Sequence, residues 1–359
     1  MNGSVGVVIG TDSIAATVAT EDEQVVAVPA VLAVSSEGNL MIGSDAERIA
    51  HRGTGTVYRN FIERVGDPVP VIGTGDYACP GADLAATSID ALLNGIGVDS
   101  SAAQVCVARP ARWGVYQVSA LRAAMCRTGV WGPATCMVSR PIAALAETGI
   151  NSAETVIVVD TDAWATEVSV VTGCRTRGGQ VVETTLAEQL GVESLDRLLA
   201  RHILAQLGEP MDLAARTELL THCAGARDEL ARHTATTVPV RLPSGPTRVR
   251  VVRAEFESLV REPVTNAVAT ITRALARARE HGVGVDGILL AGAAARLPLL
   301  IETLSTRTRA QLTTPADPNG VLAYGAQRLA ARRGAAQPGA GVAPAPRQPY
   351  RSVPQPLMA

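Results

Sequence analysis

The chain has 359 residues, 47% apolar and 18% charged, enough for two or three domains with sizeable cores, which excludes a fold stapled by disulfides or metal. No apolar run reaches the roughly 20 residues of a membrane-spanning helix, and the opening Met1-Asn2-Gly3-Ser4 lacks the pattern of a secretion signal, so a cytoplasmic protein is expected. A net charge of −2, 3% aromatics and no basic block exclude a nucleic-acid binder, and since every basic residue is arginine, a Walker A loop and a Schiff-base lysine are excluded too. In chain order, the apolar run 5–9 predicts a strand, Gly10-Thr11-Asp12-Ser13 a turn, and 14–19 a returning strand. A strand follows at 104–108. Val115, Val118, Leu121 and Met125 then share one helical face, as do Ile142, Leu145 and Ala146. The hairpin pattern recurs at 156–171, with Thr161-Asp162-Ala163-Trp164 at its turn, which suggests an internal duplication. Leu195, Leu198, Leu199 and Ile203 form a further stripe, and Val264, Val268, Ile271 and Leu275 another. Strands at 238–242, 248–252 and 287–290 complete an alternation that argues for an α/β architecture.

From residue 334 the chain is rich in Pro, Ala and Gly without apolar period, and 334–359 is expected to be a disordered tail, with a polyproline ligand as the alternative. The cysteines at 79, 106, 126, 136, 174 and 223 form no CxxC pair, and the histidines at 51, 202, 222, 233 and 281 show no ligand spacing. The cysteines are therefore expected as buried small hydrophobes, with no metal or redox site among them.

Seven segments, in order, carry a family resemblance. They are 29–68; VCVARPARWGVYQVSALRAAMCRTGV (105–130); RPIAALAETG (140–149), similar to EPTAAALAYG; LGVESLD (190–196), similar to LGGEDFD; RAEFESLV (253–260); ILLAGAAARLPLL (288–300); and DPNGVLAYGAQ (317–327). Together they resemble the nucleotide-binding (ATPase) domain of the seventy-kilodalton heat-shock chaperones. The resemblance implies an actin-like ATPase fold: α/β, with two lobes, each an RNase H-like sheet plus a smaller subdomain, around a central cleft. Lobe I would span 1–150 with the first phosphate hairpin. Lobe II would span 151–333 with the second hairpin, the adenine-side motif and a final helix returning at 310–333. Past residue 329 neither the family's acidic-apolar linker nor its β-sandwich is read, so a standalone foldase is not expected.

The same resemblance implies ATP or ADP as ligand, with Mg²⁺ in doubt because its anchor is changed. In such a site, hairpin backbone N–H groups wrap the phosphates and carboxylates hold a hydrated Mg²⁺. Gly10, Thr11 and Asp12 fall on the first turn, but the metal-anchoring acid is Val8. Asp160 matches the second hairpin's acid, while the glycines that follow are replaced and Trp164 stands at the turn. Arg59 takes the place of the family's lysine facing the γ-phosphate, and Arg140 that of the glutamate in the E-P-T-A motif. Gly191, Arg227, Gly292 and Arg296 complete the nucleotide-side candidates. Val8, Trp164 and Arg140 together argue against Mg-ATP hydrolysis, and no catalytic residue is assigned. Trp164 is expected to plug the cleft, with Arg140 and Asp160 close to each other.

The reading that follows is a heat-shock-chaperone-like domain unable to hydrolyse ATP, acting as a partner-binding or regulatory module for an unidentified protein. A competent or weak ATPase with a rebuilt phosphate site is the alternative, and a filament-forming actin relative a third.

Overall fold

The computed structural model describes residues 3–19, 24–150, 153–208 and 211–336. The chain forms two compact units, one running up to Gly149 and resuming at Gly320, the other spanning Ile150–Asn319. The first unit opens with β1 (Ser4–Ile9), β2 (Ser13–Val18) and β3 (Val25–Pro29), an antiparallel meander. An elaboration follows: β4 (Leu32–Ser35), β5 (Leu40–Ile42), α1 (Ser44–Arg52), β6 (Gly55–Tyr58) and the ribbon β7 (Val71–Ile72) with β8 (Ala78–Cys79). Then come α2 (Gly81–Gly95), β9 (Gln104–Arg109), α3 (Val115–Thr128), β10 (Thr135–Ser139) and α4 (Arg140–Thr148). The main sheet has the order β10-β9-β1-β2-β3, with β9 and β10 parallel to β1.

The second unit repeats this plan. It contains β11 (Thr155–Thr161), β12 (Thr166–Thr172), α5 (Cys174–Arg177), β13 (Gln180–Ala187), α6 (Val192–Leu207) and α7 (Leu213–Arg232). The hairpin β14 (Ala235–Leu242) and β15 (Gly245–Val252), α8 (Arg253–Glu280), β16 (Gly287–Gly292), α9 (Pro298–Arg307) and β17 (Gln311–Thr313) follow. Its sheet runs β13-β12-β11-β16-β17, with β11, β16 and β17 parallel. Strand for strand this is the order and direction of β3-β2-β1-β9-β10. The duplication suspected from the two hairpins is therefore a duplication of whole sheets.

Each sheet is centred on a continuous apolar strand because helices and chain cover both faces. Val5, Val7 and Ile9 of β1 join Val105, Val107, Phe61 and Leu121 in one core, and Ile157 and Val159 of β11 join Val168, Leu199, Ile271 and Leu290 in the other. The final helix, α10 (Val321–Ala336), packs on α4, β1 and β9. Two glycines permit that approach: a Cβ on Gly6 would stand 2.1 Å from the Ala323 carbonyl oxygen, and one on Gly325 would stand 1.7 Å from that of Ala143.

Several expectations need correcting. The closing helix starts at Val321 rather than 310 and lies in the first unit, while 311–313 is the edge strand β17. Helix α10 also takes in Gly334, where the tail was expected to start, and residues 337–359 lie outside the described residues. Val115 is 85% exposed, because the buried face of α3 is Leu121, Ala124 and Met125. Among the cysteines, Cys106 and Cys223 alone are buried; Cys79, Cys136 and Cys174 are partly exposed, and Cys126 is exposed.

Candidate functional site

The first hairpin turns at Gly10-Thr11-Asp12, closed by a hydrogen bond from the Gly10 N–H to the Ser13 carbonyl, 2.9 Å. The Ala30 N–H donates to the Asp12 carbonyl at 2.6 Å, tying the turn to the chain leaving β3. Thr11 is buried and Asp12 exposed. Val8 is a sheet residue, 8% exposed, paired with Ala15 on β2 and Ala108 on β9. It offers no donor for a metal ion. Beside the end of β1 lies Arg140, first residue of α4, 2% exposed and ranking among the largest fully buried side chains. Its guanidinium donates to the Ile9 carbonyl at 3.4 Å. A cation thus stands buried against the backbone that leads into the first turn, where the resemblance implied an acid.

The second turn is built differently. The Asp162 N–H donates to the Ala165 carbonyl at 3.0 Å, and the Asp162 carboxylate accepts the Ala163 N–H at 2.8 Å. Two backbone donors at the tip are therefore engaged by the turn itself. The carbonyls of Asp162 and Ala163 accept the N–H groups of Val192 and Glu193, the first turn of α6. Those amides are the ones a helix N-terminus leaves unpaired, so the hairpin caps the helix. Gly191 makes this approach feasible: a Cβ there would lie 2.3 Å from the Trp164 carbonyl carbon. Buried Thr166 adds a bond from its hydroxyl to the Leu190 carbonyl, 2.6 Å. The Trp164 indole itself is 44% exposed, with the Arg197 guanidinium 5.5 Å from the ring centre. The backbone that meets α6 is that of Asp162 and Ala163, and the indole beside it lies next to Arg197.

Asp160, Gly191, Trp164 and Gly292 gather around the end of β11. Asp160 is 1% exposed, opposite Ala291 on β16, and Thr161 lies opposite Gly292. Gly292 has φ +82°, and a Cβ there would stand 2.0 Å from the Thr161 carbonyl oxygen, so the position requires glycine. A second buried acid, Glu167, faces Asp160 directly across β12 at 2% exposure. Sequence reasoning passed over it, although an acid within the apolar run of β12 was the available signal.

The remaining candidates are engaged in bonds of their own. Arg59 is held by Glu47 of α1 through two bonds of 2.6 Å. Arg227 of α7 is buried and donates to Asp196 of α6 at 2.8 Å and to Asp228 at 2.8 Å. Burial pushes the Asp196 carboxyl above its ordinary value, against the pull of Arg227. Arg296 donates to the Ala316 carbonyl at 2.6 Å, with Asp317 at 3.9 Å. Among the described residues, no three His, Cys, Asp or Glu side chains group as a metal site. With Val8 in the sheet core and Arg140 beside it, the first hairpin does not fit a Mg²⁺ anchor.

Two units with the same strand order, each led by a hairpin, define an actin-like ATPase fold. A family model described as Hsp70 protein matches residues 98–337, more than half of the chain, and the chain belongs to that family. Curated relatives include proteins named chaperone protein HscA homolog. The one from Methylobacillus flagellatus is 30% identical over 195 residues, covering 53% of this chain and 31% of the relative. The one from Burkholderia thailandensis is 29% identical over 143 residues, covering 38% and 23%. The chain thus spans less than a third of the length of the relatives it matches.

Proposed function

We propose that this chain is an Hsp70-family domain that does not hydrolyse ATP and serves as a partner-binding or regulatory module in the cytoplasm. The observation that carries this reading is buried Arg140 bonded to the Ile9 carbonyl at the mouth of the first turn. Hydrolysis needs a carboxylate near the reacting phosphate to position water and a metal to neutralise developing charge. A guanidinium there reverses the sign of the local field, and apolar Val8 supplies no ligand. The second turn adds to this, because two of its donors are engaged within the turn. Arg59 and Arg227 are already paired with acids, and Arg296 with the Ala316 carbonyl, so less of their charge is available to a phosphate. Protein-partner binding is what remains of the family's repertoire, and among the described residues no helix is long and apolar enough to cross a membrane.

Single-turnover assays with radiolabelled ATP, paired with ATP and ADP calorimetry with and without Mg²⁺, test the proposal. Phosphate release should match the enzyme-free control, and binding, if measured, should not depend on Mg²⁺. Val8→Asp alone should leave both unchanged. Turnover that disappears in Asp160→Ala, or micromolar Mg²⁺-dependent ATP binding, would establish the competent ATPase instead.

A further inference from the structure

Cys106 and Cys136 are distant in sequence but are direct partners on the neighbouring parallel strands β9 and β10. Register places both side chains on one face of the sheet. Neighbouring strands lie about 4.8 Å apart, within the roughly 4.4–6.8 Å between Cα atoms that a disulfide requires. The two environments differ. Cys106 is fully buried, whereas Cys136 is partly exposed. Register sets Cys106 directly opposite Cys136, and helix α10, which carries Arg333, packs on both strands. Helix packing places that arginine: a Cβ on Gly334 would stand 3.0 Å from Cγ of Gln104, at the start of β9. Helix α4 also packs on β10, but its charged groups are engaged elsewhere, Arg140 with the Ile9 carbonyl and Glu147 with Arg328.

The hydrogen bond from Cys106, with help from Arg333 and against burial, brings the Cys136 thiol down to about 7. The same hydrogen bond, reinforced by burial, pushes Cys106 strongly upward. One sulfur is thus a reachable thiolate near neutral pH, and the other a sheltered thiol beside it.

We propose that Cys136 and Cys106 form a peroxide-sensitive thiol pair that closes reversibly to a disulfide. The Cys136 thiolate attacks one oxygen of hydrogen peroxide. The O–O bond breaks, hydroxide leaves and takes up a proton as water, and Cys136 becomes a sulfenic acid. Cys106 then loses its proton and its sulfur displaces the sulfenic hydroxyl, which leaves as a second water as the S–S bond forms. Two thiols are oxidised by two electrons and one peroxide is reduced to two waters. Closure removes the thiolate charge that Arg333, in the last turn of α10, helps to stabilise. This chemistry stands independently of whether the domain hydrolyses ATP.

The reduced full-length chain, treated with stoichiometric hydrogen peroxide, should lose two hydrogens in intact mass. Non-reducing digestion should give one cross-linked peptide pair containing Cys106 and Cys136, and dithiothreitol should reverse it. Iodoacetamide should label Cys136 at pH 7 about five- to tenfold faster than exposed Cys126, which serves as internal control. Arg333→Gln, a surface change, should reduce that advantage, and Cys106→Ala should reduce it further while leaving a trappable sulfenic acid on Cys136. Oxygen addition without the cross-link, a disulfide through Cys126, or labelling of Cys136 no faster than Cys126 would each overturn the proposal.

Discussion

The two hairpins share strand order and pairing, yet their turns meet the rest of the molecule in opposite ways. The first keeps its glycine and is backed by a buried arginine reaching the Ile9 carbonyl. The second carries side chains throughout, and its carbonyls cap α6. A duplicated sheet can therefore hold its topology while its two turns change independently. Strand order is fixed by buried apolar alternation over many residues, whereas a turn depends on a few side chains and backbone donors.

Substituting the glycine at each hairpin's closest contact should break this comparison most severely. Gly6→Ala would drive a Cβ to 2.1 Å from the Ala323 carbonyl oxygen, lifting α10 from β1. Gly191→Ala would place one 2.3 Å from the Trp164 carbonyl carbon, parting the second turn from α6. Both obstacles are backbone, which cannot swing aside, so each variant should lose about 3–5 kcal/mol in urea unfolding. A loss below about 1 kcal/mol for Gly191→Ala would mean that the capping contact does not hold the second turn.

Arg227 probes the second unit at a smaller scale. Arg227→Met strands buried Asp196 without its partner, and about 3 kcal/mol should be lost near neutral pH. The pH dependence has a definite sign. The folded Asp196 carboxyl already lies above its ordinary value, so its contribution is greatest in acid and falls as pH rises through the folded value. Removing Arg227, which pulls that value down, extends the window upward, and the variant should recover part of its deficit on acidification. Parallel urea melts of both proteins across that range measure it. A deficit independent of pH would show that the carboxylate is satisfied by other groups.

The sheets were legible because the hairpin strands and the strands at 104 and 287 declare themselves by uninterrupted apolar runs. The seven ordered segments made the family legible as well. The assignment of the last helix was not, since nothing in Val321–Ala336 says which sheet it will cover; the glycines at 6 and 325 carry that information only once their neighbours are known. At the site, Val8 and Arg140 were readable as replacements, but the engagement of Arg59 by Glu47 and of Arg227 by Asp196 was not. Such pairings join residues on separate elements and leave no local pattern. The Cys106–Cys136 pair is the clearest case. Sequence spacing argued against any site among the cysteines, and strand register brought two of them together.

Trp164 provides the mildest test of the contrast between the turns. The two residues before it bond to α6, while its ring lies 44% exposed beneath Arg197, which also pairs with Glu193. A cation–π contact at so open a position contributes about 0.5–1 kcal/mol, and phenylalanine retains part of it. Trp164→Phe should therefore cost no more than about 0.5 kcal/mol. Its effect on fluorescence should be larger. Trp113 is 7% exposed and Trp131 lies partly covered with Arg122 at 4.9 Å from its ring, so acrylamide should reach Trp164 most readily of the three. Replacing it should remove the most quenchable component of the emission and shift the remainder to the blue. A stability loss of about 2 kcal/mol or more, with quenching unchanged, would mean that the indole is enclosed in solution. The second turn would then be held by its side chain as well as its backbone.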